Sequence, residues 1–364
     1  MSEMKKTDRC YIDIHVLQTV PPSCVNRDDT GSPKTAVYGG VTRARVSSQA
    51  WKRAIRLYFG DLFDADSIGT RTKKLVGMIE DALLALDPKM SDKDARKKAE
   101  EALKAAGFSL KGDDGKVGAL FFISKAQAKA LAELAINGEK GKNVYKAALK
   151  DSPAVDMALF GRMVADDPSL NYDAAAQVAH AISTHAVQNE FDYFTAVDDR
   201  APEDNTGAGH IGTTEFNSAT LYRYAVVNVS ELASLIPEEA TEAVKGFIEA
   251  FCCAMPTGKQ NTFANRTVPD LVYVTIRNDQ PVNFAGAFEK PVHAETGGYF
   301  AASELALTEF ARKTYELFVP APALSLVCSR GDGLKELAES LPLHTMIDRI
   351  GNYVESRVKT GAAE

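Results

Sequence analysis

The chain has 364 residues, enough for two domains or for one domain that carries a large insertion. Apolar residues make up 45% and charged residues 25%, which excludes a disordered tail or a fibre and fits a protein with a sizeable core. No stretch reaches the roughly 18–20 apolar residues of a membrane helix, and the charged start 1–9 lacks the apolar region of a secretory signal. Five cysteines without a CxxC pair favour a reducing, cytoplasmic location.

Charge is distributed unevenly along the chain. The net charge of −7 argues mildly against nucleic-acid binding by the protein as a whole. Residues 27–56, however, hold seven Lys and Arg against two acids, a local net charge of +5. A basic stripe on an acidic body predicts one place for a polyanion and repulsion elsewhere.

The first elements place this basic stripe beside a strand. Alternation over 11–20 predicts a strand that Pro21-Pro22 ends. The loop 23–42 is rich in Gly, Pro, Asn and Asp, and Gly39-Gly40 could bring backbone close to a ligand.

A helix follows from Ser47-Ser48, which are good N-cap residues, to about residue 60. At about 100° per residue, Trp51, Ile55 and Tyr58 fall within about 60° of one another and predict an anchoring face. The opposite side carries polar and basic residues. These are Gln49, Lys52, Arg53 and Arg56.

Residues 61–155 are rich in Ala, Lys, Glu and Asp and predict a helical insertion. Ser91 is expected to cap one of its helices, with Gly107 just past the end of that helix. Helical stretches are predicted over 71–86, 92–106 and 124–150.

The remainder mixes strands and helices without βαβα alternation, which favours an α+β core with antiparallel strands. A short strand is predicted over 157–163 and a helix over 173–188, before a protruding hairpin built from 191–197 and 213–229. Further elements are helices over 238–253, 303–318 and 334–358, and strands over 271–276 and 323–328.

Catalytic and cofactor motifs are not found in the sequence. Residues 207–212 match GxGxxG but precede a strand, whereas a dinucleotide fingerprint follows a strand and opens a helix. HExxH, P-loop and GxSxG patterns do not occur. The sequence therefore nominates no catalytic residue, no metal site and no cofactor.

Nucleic-acid backbone binding needs cations together with neutral donors, and segment 27–56 supplies both. Contacts to phosphates would be indifferent to base sequence; the alternative is a solvated basic helix face. Apolar or small residues near the hairpin tip, and Met163 after a glycine, could wedge between bases, or could be ordinary core residues.

Several motifs resemble the CasC family, the backbone subunit of the type I-E CRISPR Cascade complex. The most specific run is "NRDD", "YGG" and "RVSSQAWKRA" in that order within 12–56. Support continues in "LFGRM", "FDYFTAVDD", "GTTEFNSATLYRYA" and "GKQNTFA". The likeness weakens in the helical insertion and after about residue 280.

The resemblance implies an RRM-like (ferredoxin-like) α+β palm from 1–60 and 156–364, a helical finger insertion over 61–155, and a β-hairpin thumb over 188–222. It also implies a non-catalytic subunit that polymerises along a CRISPR guide RNA. The palm would hold guide phosphates, and each thumb would push every sixth nucleotide out of the stack. Target DNA would then pair with the guide in an R-loop during antiviral defence.

The resemblance also implies site residues and partners. The expected partners are the guide RNA, the target DNA strand, copies of this chain, and the large, small, guide-end cap and guide-processing subunits; no membrane is expected. The implied guide contacts are Arg27, Lys34, Ser47, Gln49, Lys52, Arg53 and Arg56, with Lys259 and Gln260 from a later loop. The implied kinking residues are Met163, Phe194, Thr195 and Val197.

Two alternatives stay open at this point. Some related backbone subunits cleave RNA with an aspartate, and Asp28 and Asp29 are the acids of the basic segment. A generic single-stranded RNA binder outside CRISPR systems would show the same backbone chemistry.

Overall fold

The computed structural model describes residues 9–112, 115–196, 199–200, 210–294 and 297–361. Its residues fall into two compact units, which share the α+β character expected from the sequence. The first unit comprises the described residues of Met1–Ile55, Val178–Val226 and Phe247–Asn352. The second comprises those of Arg56–Gln177, Val227–Gly246 and Tyr353–Glu364. The division into palm, finger and thumb, which the resemblance implied with other bounds, stays a prediction.

The strands are β1 (Tyr11–Ser23), β2 (Thr35–Tyr38), β3 (Val41–Val46), β4 (Thr70–Thr72), β5 (Leu110–Lys111), β6 (Lys116–Val117), β7 (Phe121–Ile123), β8 (Ala176–Val178), β9 (Ala181–Ser183), β10 (Glu190–Ala196), β11 (His210–Asn228), β12 (Leu271–Arg277), β13 (Leu324–Ser329) and β14 (Glu339–Ser340). The helices are α1 (Ser48–Leu62), α2 (Leu75–Leu86), α3 (Asp92–Ala106), α4 (Lys125–Ile136), α5 (Lys142–Lys150), α6 (Val155–Phe160), α7 (Val229–Leu235), α8 (Ala240–Cys253), α9 (Gln260–Phe263), α10 (Phe300–Leu317) and α11 (Leu343–Gly361).

The central sheet of the first unit runs in the order β14-β13-β12-β1-β11-β9-β3-β2. Strand β1 lies antiparallel to β12 over the register Tyr11↔Arg277 to Leu17↔Leu271. Its residues are buried almost continuously, as expected for a strand covered on both faces. The strand continues to Ser23 rather than stopping at Pro21, because Leu17 is the last residue in the β12 register and the prolines remove no donor from that ladder.

Each face of this sheet has its own packing. On one face, the buried guanidinium of Arg223 lies 3.7 Å from the centroid of the Trp51 ring and donates to Gln18 Oε1 at 2.5 Å. Trp51 is 1% exposed and Ile55 is fully buried, so the predicted anchoring face of α1 is confirmed for these two residues, whereas Tyr58 is only half-buried. On the other face, His15 stacks on Phe284 at 4.4 Å within an apolar cluster that α10 covers.

The second unit has a helical core formed by α2, α3, α4 and α5. The predicted capping of α3 is confirmed: Ser91 Oγ accepts from the backbone N–H of Asp94, and Gly107 ends the helix with φ of 100°. Strand β4 pairs with β7 within the same unit.

Two predicted helices have other bounds, because the helix expected over 71–86 begins at Leu75 after β4 and the one expected over 124–150 is divided into α4 and α5. Three further predicted elements are wrong. Residues 157–163 are not a strand but overlap the short helix α6, because a short apolar run such as 157–160 does not distinguish a strand from a helix by its period. Residues 173–188 are not a helix but include β8 and β9; the alanines favour a helix locally, whereas β9 fills a place between β11 and β3. The last helix begins at Leu343, after Pro342, rather than at residue 334.

Candidate nucleic-acid interface

The loop between β1 and β2 is tied to the start of α1 through Asn26. The backbone N–H of Lys34 donates to the Asn26 carbonyl at 2.8 Å, and that of Ser47 donates to Asn26 Oδ1 at 2.9 Å. The side chain of Asn26 therefore fixes the basic loop relative to the first turn of the basic helix.

Asp28 shapes this loop from within. Its Oδ1 accepts hydrogen bonds from the N–H and Oγ1 of Thr30, at 2.9 and 2.7 Å, and from the N–H of Ser32 at 3.0 Å. The hydroxyl of Thr30, helped by these backbone N–H groups, holds the pKa of the Asp28 carboxyl below its ordinary value. Asp28 thus stabilises a turn of the Asx kind.

The loop that carries Lys259 and Gln260 lies directly against this turn. A Cβ on Gly258 would come within 2.1 Å of the Val25 carbonyl oxygen, so only glycine allows the two backbones to approach this closely. Burial raises the pKa of the Cys24 thiol; the charges of Arg27 and Lys259 oppose that rise, and those of Glu215 and Asp28 add to it. The close approach of Gly258 to Val25 therefore brings together the loops that carry Lys259 and Arg27.

The predicted guide contacts of the first unit differ in exposure and in whether they form ion pairs. Within the described part of the chain, Arg27, Lys34, Arg53 and Lys259 have no ion pair. Such cations keep their charge available for an external anion. The remaining members are Gln49 and Gln260, which are exposed, Lys52, which is half-buried and has a partner, and Ser47, which is buried.

Two arginines of the basic segment are structural. Arg43 is fully buried and donates to the carbonyls of Tyr38, Ser183 and Phe288. A hypothetical Cβ on Gly39 lies 1.6 Å from the Glu289 carbonyl oxygen, so this glycine allows a close approach within the protein, whereas Gly40 has nothing within 4 Å and its approach to a ligand stays a prediction.

Arg45 is also engaged, through donation to the Thr35 carbonyl at 3.0 Å and contact with His180 Nδ1 at 3.2 Å. The basic stripe counted from the sequence therefore overstates the charge that a ligand would meet.

Arg56 belongs to the second unit and forms an ion pair there. Its Nε lies 2.8 Å from Oδ2 of Asp156, a carboxylate that is completely buried. The Arg56 side chain is 20% exposed, and Nη2 donates to the Gly69 carbonyl at 3.3 Å. Part of this guanidinium faces solvent, so its predicted contact with RNA stays a prediction.

Met163, in the second unit, is an exposed residue whose neighbours hold it in place. Its side chain is 85% exposed, although Arg162 beside it is buried. The Arg162 guanidinium donates to the carbonyls of Leu170, Phe122 and Leu149. Gly161 has φ of 75° and ψ of 169°, a conformation essentially restricted to glycine. A buried cation and a strained turn thus hold one apolar side chain outward.

The predicted hairpin of the first unit is present, because β10 pairs antiparallel with β11. Phe194 lies over Gly212, whose hypothetical Cβ would be 2.4 Å from its ring, and Phe194 is still 43% exposed. Thr195 faces Ile211 in the register, and Tyr193 is also exposed. Exposed aromatic and apolar residues therefore occupy both faces of the hairpin. Val197 lies outside the described residues.

Glu215 joins the base of this hairpin to the Asp28 turn. Its Oε1 accepts from Ser32 Oγ at 2.9 Å, and its Oε2 accepts from Asn189 Nδ2 at 3.2 Å. Neither Glu215 nor Asn26 was nominated from the sequence, since both act through long-range contacts that local pattern does not display.

In the described ranges, no helix combines the length and the apolar character needed to cross a bilayer. In the same ranges, no three His, Cys, Asp or Glu side chains come together as metal ligands would.

Comparison with known proteins identifies the family. The profile described as "CT1975-like protein" matches residues 12–352. A chain from a solved structure described as "CRISPR RNA-guided surveillance complex, pre-nicking" is 33% identical, with a TM-score of 0.82, over 94% of this chain and 100% of that one. A chain from a "CRISPR RNA-guided surveillance complex" is 30% identical, with a TM-score of 0.63, over 94% and 99%. The chain matches no curated protein.

The structural match places the chain in a class of mixed α+β proteins built around a central sheet. The chain belongs to the CT1975-like family, whose profile covers most of its length. The resemblance to CasC-family subunits is thereby confirmed, with no subtype specified.

Proposed function

We propose that this chain is a CRISPR RNA-binding backbone subunit of a type I-E Cascade complex. The observation that carries the proposal is that Arg27, Lys34 and Lys259 have no ion pair among the described residues, in a chain 33% identical to part of an RNA-guided surveillance complex. Cations that form no ion pair within a protein can neutralise phosphates, and such contacts do not read base sequence. Sequence choice is then left to pairing between the guide and its target.

In this proposal, an RRM-like palm holds the guide and copies of the chain polymerise along it. The hairpin residues Phe194, Thr195 and Val197 act as the thumb wedge that displaces every sixth nucleotide, and Met163 is a separate kinking residue. The exposure of Met163 and Phe194 supports this role, because an apolar side chain must be accessible to insert between bases. Target DNA pairs with the segments between displaced nucleotides and forms an R-loop. The large, small, cap and guide-processing subunits complete the particle in the cytoplasm.

The subunit itself is proposed to be non-catalytic, without metal or cofactor. One oxygen of Asp28, Oδ1, already accepts three hydrogen bonds from Thr30 and Ser32, which supports a role in shaping the loop rather than in catalysis. Incubation of the purified protein with guide RNA and divalent cations should leave the RNA intact. Cleavage that disappears in an Asp29→Asn variant would support the nuclease alternative.

The main test measures how guide binding depends on salt. Removing two phosphate contacts in a Lys34→Gln, Arg53→Gln variant should lower the slope of log K against log salt by about 1.4 per protomer. Lys93→Gln with Lys97→Gln is a matched control, because it removes from α3 two exposed lysines that form no ion pair with any described residue. Equal slopes for the two double variants would contradict the proposed interface.

A second arm identifies the ligand. The protein is purified with the products of its neighbouring genes, and any bound RNA is sequenced. One spacer flanked by repeat fragments is the expected species, whereas heterogeneous cellular RNA would favour a generic RNA binder.

A further inference from the structure

Two arginines of the second unit share one aromatic ring. The Cζ atoms of Arg56 and Arg71 lie 4.7 and 4.6 Å from the centroid of Phe122. Arg71 is in β4 directly opposite Phe122 in β7, so the strand register itself sets this contact. Stacking on a ring fixes the plane of a guanidinium and leaves its N–H edge available.

The charges at this ring do not balance. Asp156 is the acid here, and it accepts from Arg56 Nε and from the N–H of Gly69, both at 2.8 Å. Arg71 is exposed and has no ion pair among the residues that the structure describes. One buried carboxylate thus faces two guanidinium groups, and one positive charge remains uncompensated.

The sequence after Arg71 adds charge of the same sign. Lys73 and Lys74 follow it, are exposed, and likewise have no ion pair in the described ranges. Like charges gathered without acids destabilise a surface unless an anion is bound there. A planar guanidinium with free N–H groups matches two oxygens of a phosphodiester, which it can bind in bidentate fashion.

We propose that Arg71, stacked on Phe122 beside Arg56, is a phosphodiester-binding residue that the motif comparison does not nominate. The inference rests on the proposed function for its ligand, a nucleic-acid backbone, and adds a contact to it. Arg71 supplies the unpaired charge, Phe122 holds the guanidinium plane, and Asp156 keeps Arg56 in place. The phosphodiester belongs to the guide RNA or to the target DNA strand, which share this chemistry.

The test uses Arg71→Gln, which removes the charge and keeps a polar side chain. With a guide-length single-stranded RNA, the salt slope should fall by about 0.7 per protomer, and affinity near physiological salt by about four-fold. Arg96→Gln is the control for loss of an exposed arginine elsewhere in the same unit, because Arg96 on α3 is 44% exposed and its charge is paired with Glu100. Arg71→Lys keeps the charge and should retain the salt slope.

A second measurement uses the wild-type protein and does not depend on how any variant folds. Phenylglyoxal modification, followed by mass spectrometry, should label Arg71 in the free protein and label it several-fold more slowly with RNA bound. Arg96 should react equally in both states. Unchanged labelling of Arg71 with RNA bound would exclude the guide as the ligand.

A further experiment with DNA distinguishes the guide RNA from the target strand as the source of the phosphodiester. Protein loaded with guide RNA is titrated with complementary single-stranded DNA, and loss of slope or slower labelling only in this arm assigns the contact to the target strand. Behaviour of Arg71→Gln identical to Arg96→Gln with both nucleic acids overturns the inference. If the Lys34→Gln, Arg53→Gln variant still lowers the slope in that case, the proposed function stands without this contact; if it does not, both fail.

Discussion

The contact between Gly258 and Val25 gives a way to move a cation without removing any charge. In a Gly258→Ala variant, the new Cβ would lie 2.1 Å from the Val25 carbonyl oxygen and 2.7 Å from that of Cys24. Ordinary van der Waals contact begins at 3.4 Å, so the two loops must separate by about 1.3 Å. Both obstructing atoms are backbone, and no side-chain rotation can relieve the overlap.

Two effects of different size are expected. The overlap should lower the free energy of unfolding by about 1–3 kcal/mol, the usual cost of forcing an extra carbon into a packed place. Lys259 follows Gly258 directly and should lose its place near Cys24. Loss of one phosphate contact would reduce the salt slope by about 0.7 per protomer and RNA affinity near physiological salt by about four-fold.

Denaturant unfolding and RNA binding over a range of salt concentrations measure the two effects separately. Gly77→Ala is the matched control, because Gly77 lies inside α2 with nothing within 4 Å of a Cβ, and alanine there should stabilise the helix by about 0.5–1 kcal/mol. A Gly258→Ala protein that is less stable but has an unchanged salt slope would show that Lys259 does not contact the guide. Unchanged stability would refute the packing argument itself.

Three further outcomes are expected. Asp156→Ala should lower the free energy of unfolding by about 2–4 kcal/mol in denaturant titrations, because Arg56 loses its buried partner; a loss below about 1 kcal/mol would contradict this. Gly161→Ala should cost about 2 kcal/mol or more and weaken guide binding by displacing Met163, which thermal unfolding and a binding titration would measure. Burial lowers the pKa of His15 to about 3, so its neutral form stabilises the fold above about pH 6.5 and this contribution is lost as the pH falls. Between about pH 7 and pH 5, the free energy of unfolding should therefore fall less in the His15→Phe variant than in the wild type, by up to about 2 kcal/mol. Parallel pH profiles of the two proteins would contradict this.

The parts of the fold that the sequence predicted well are those with local signals. The anchoring of α1 followed from the period of Trp51 and Ile55, and the capping of α3 followed from Ser91 and Gly107. The strand β9 could not be predicted in this way, because its three residues become a strand through pairing with β11 and β3. Tertiary pairing overrode a local preference for helix there.

The candidate site shows the same division. Resemblance and charge pointed to Arg27 and Lys34, which the structure leaves without ion pairs in the described ranges. Asn26 positions the loop of Lys34 through contacts with residues distant in sequence, and Gly258 positions the loop of Lys259 through its lack of a side chain. Neither kind of contact leaves a periodic or compositional trace.

Arginine in this chain serves two purposes that composition does not separate. Arg43, Arg162 and Arg223 are buried and spend their N–H groups largely on backbone carbonyls, so their charge helps to fix the fold. Arg53 and Arg71 are exposed and have no ion pair in the described part of the chain. A charge can bind an external phosphate only where the protein has not already used its donors. The nucleic-acid surface of an acidic protein is therefore found by following hydrogen bonds from each arginine, and that criterion, rather than the number of basic residues, distinguishes Arg71 from Arg43.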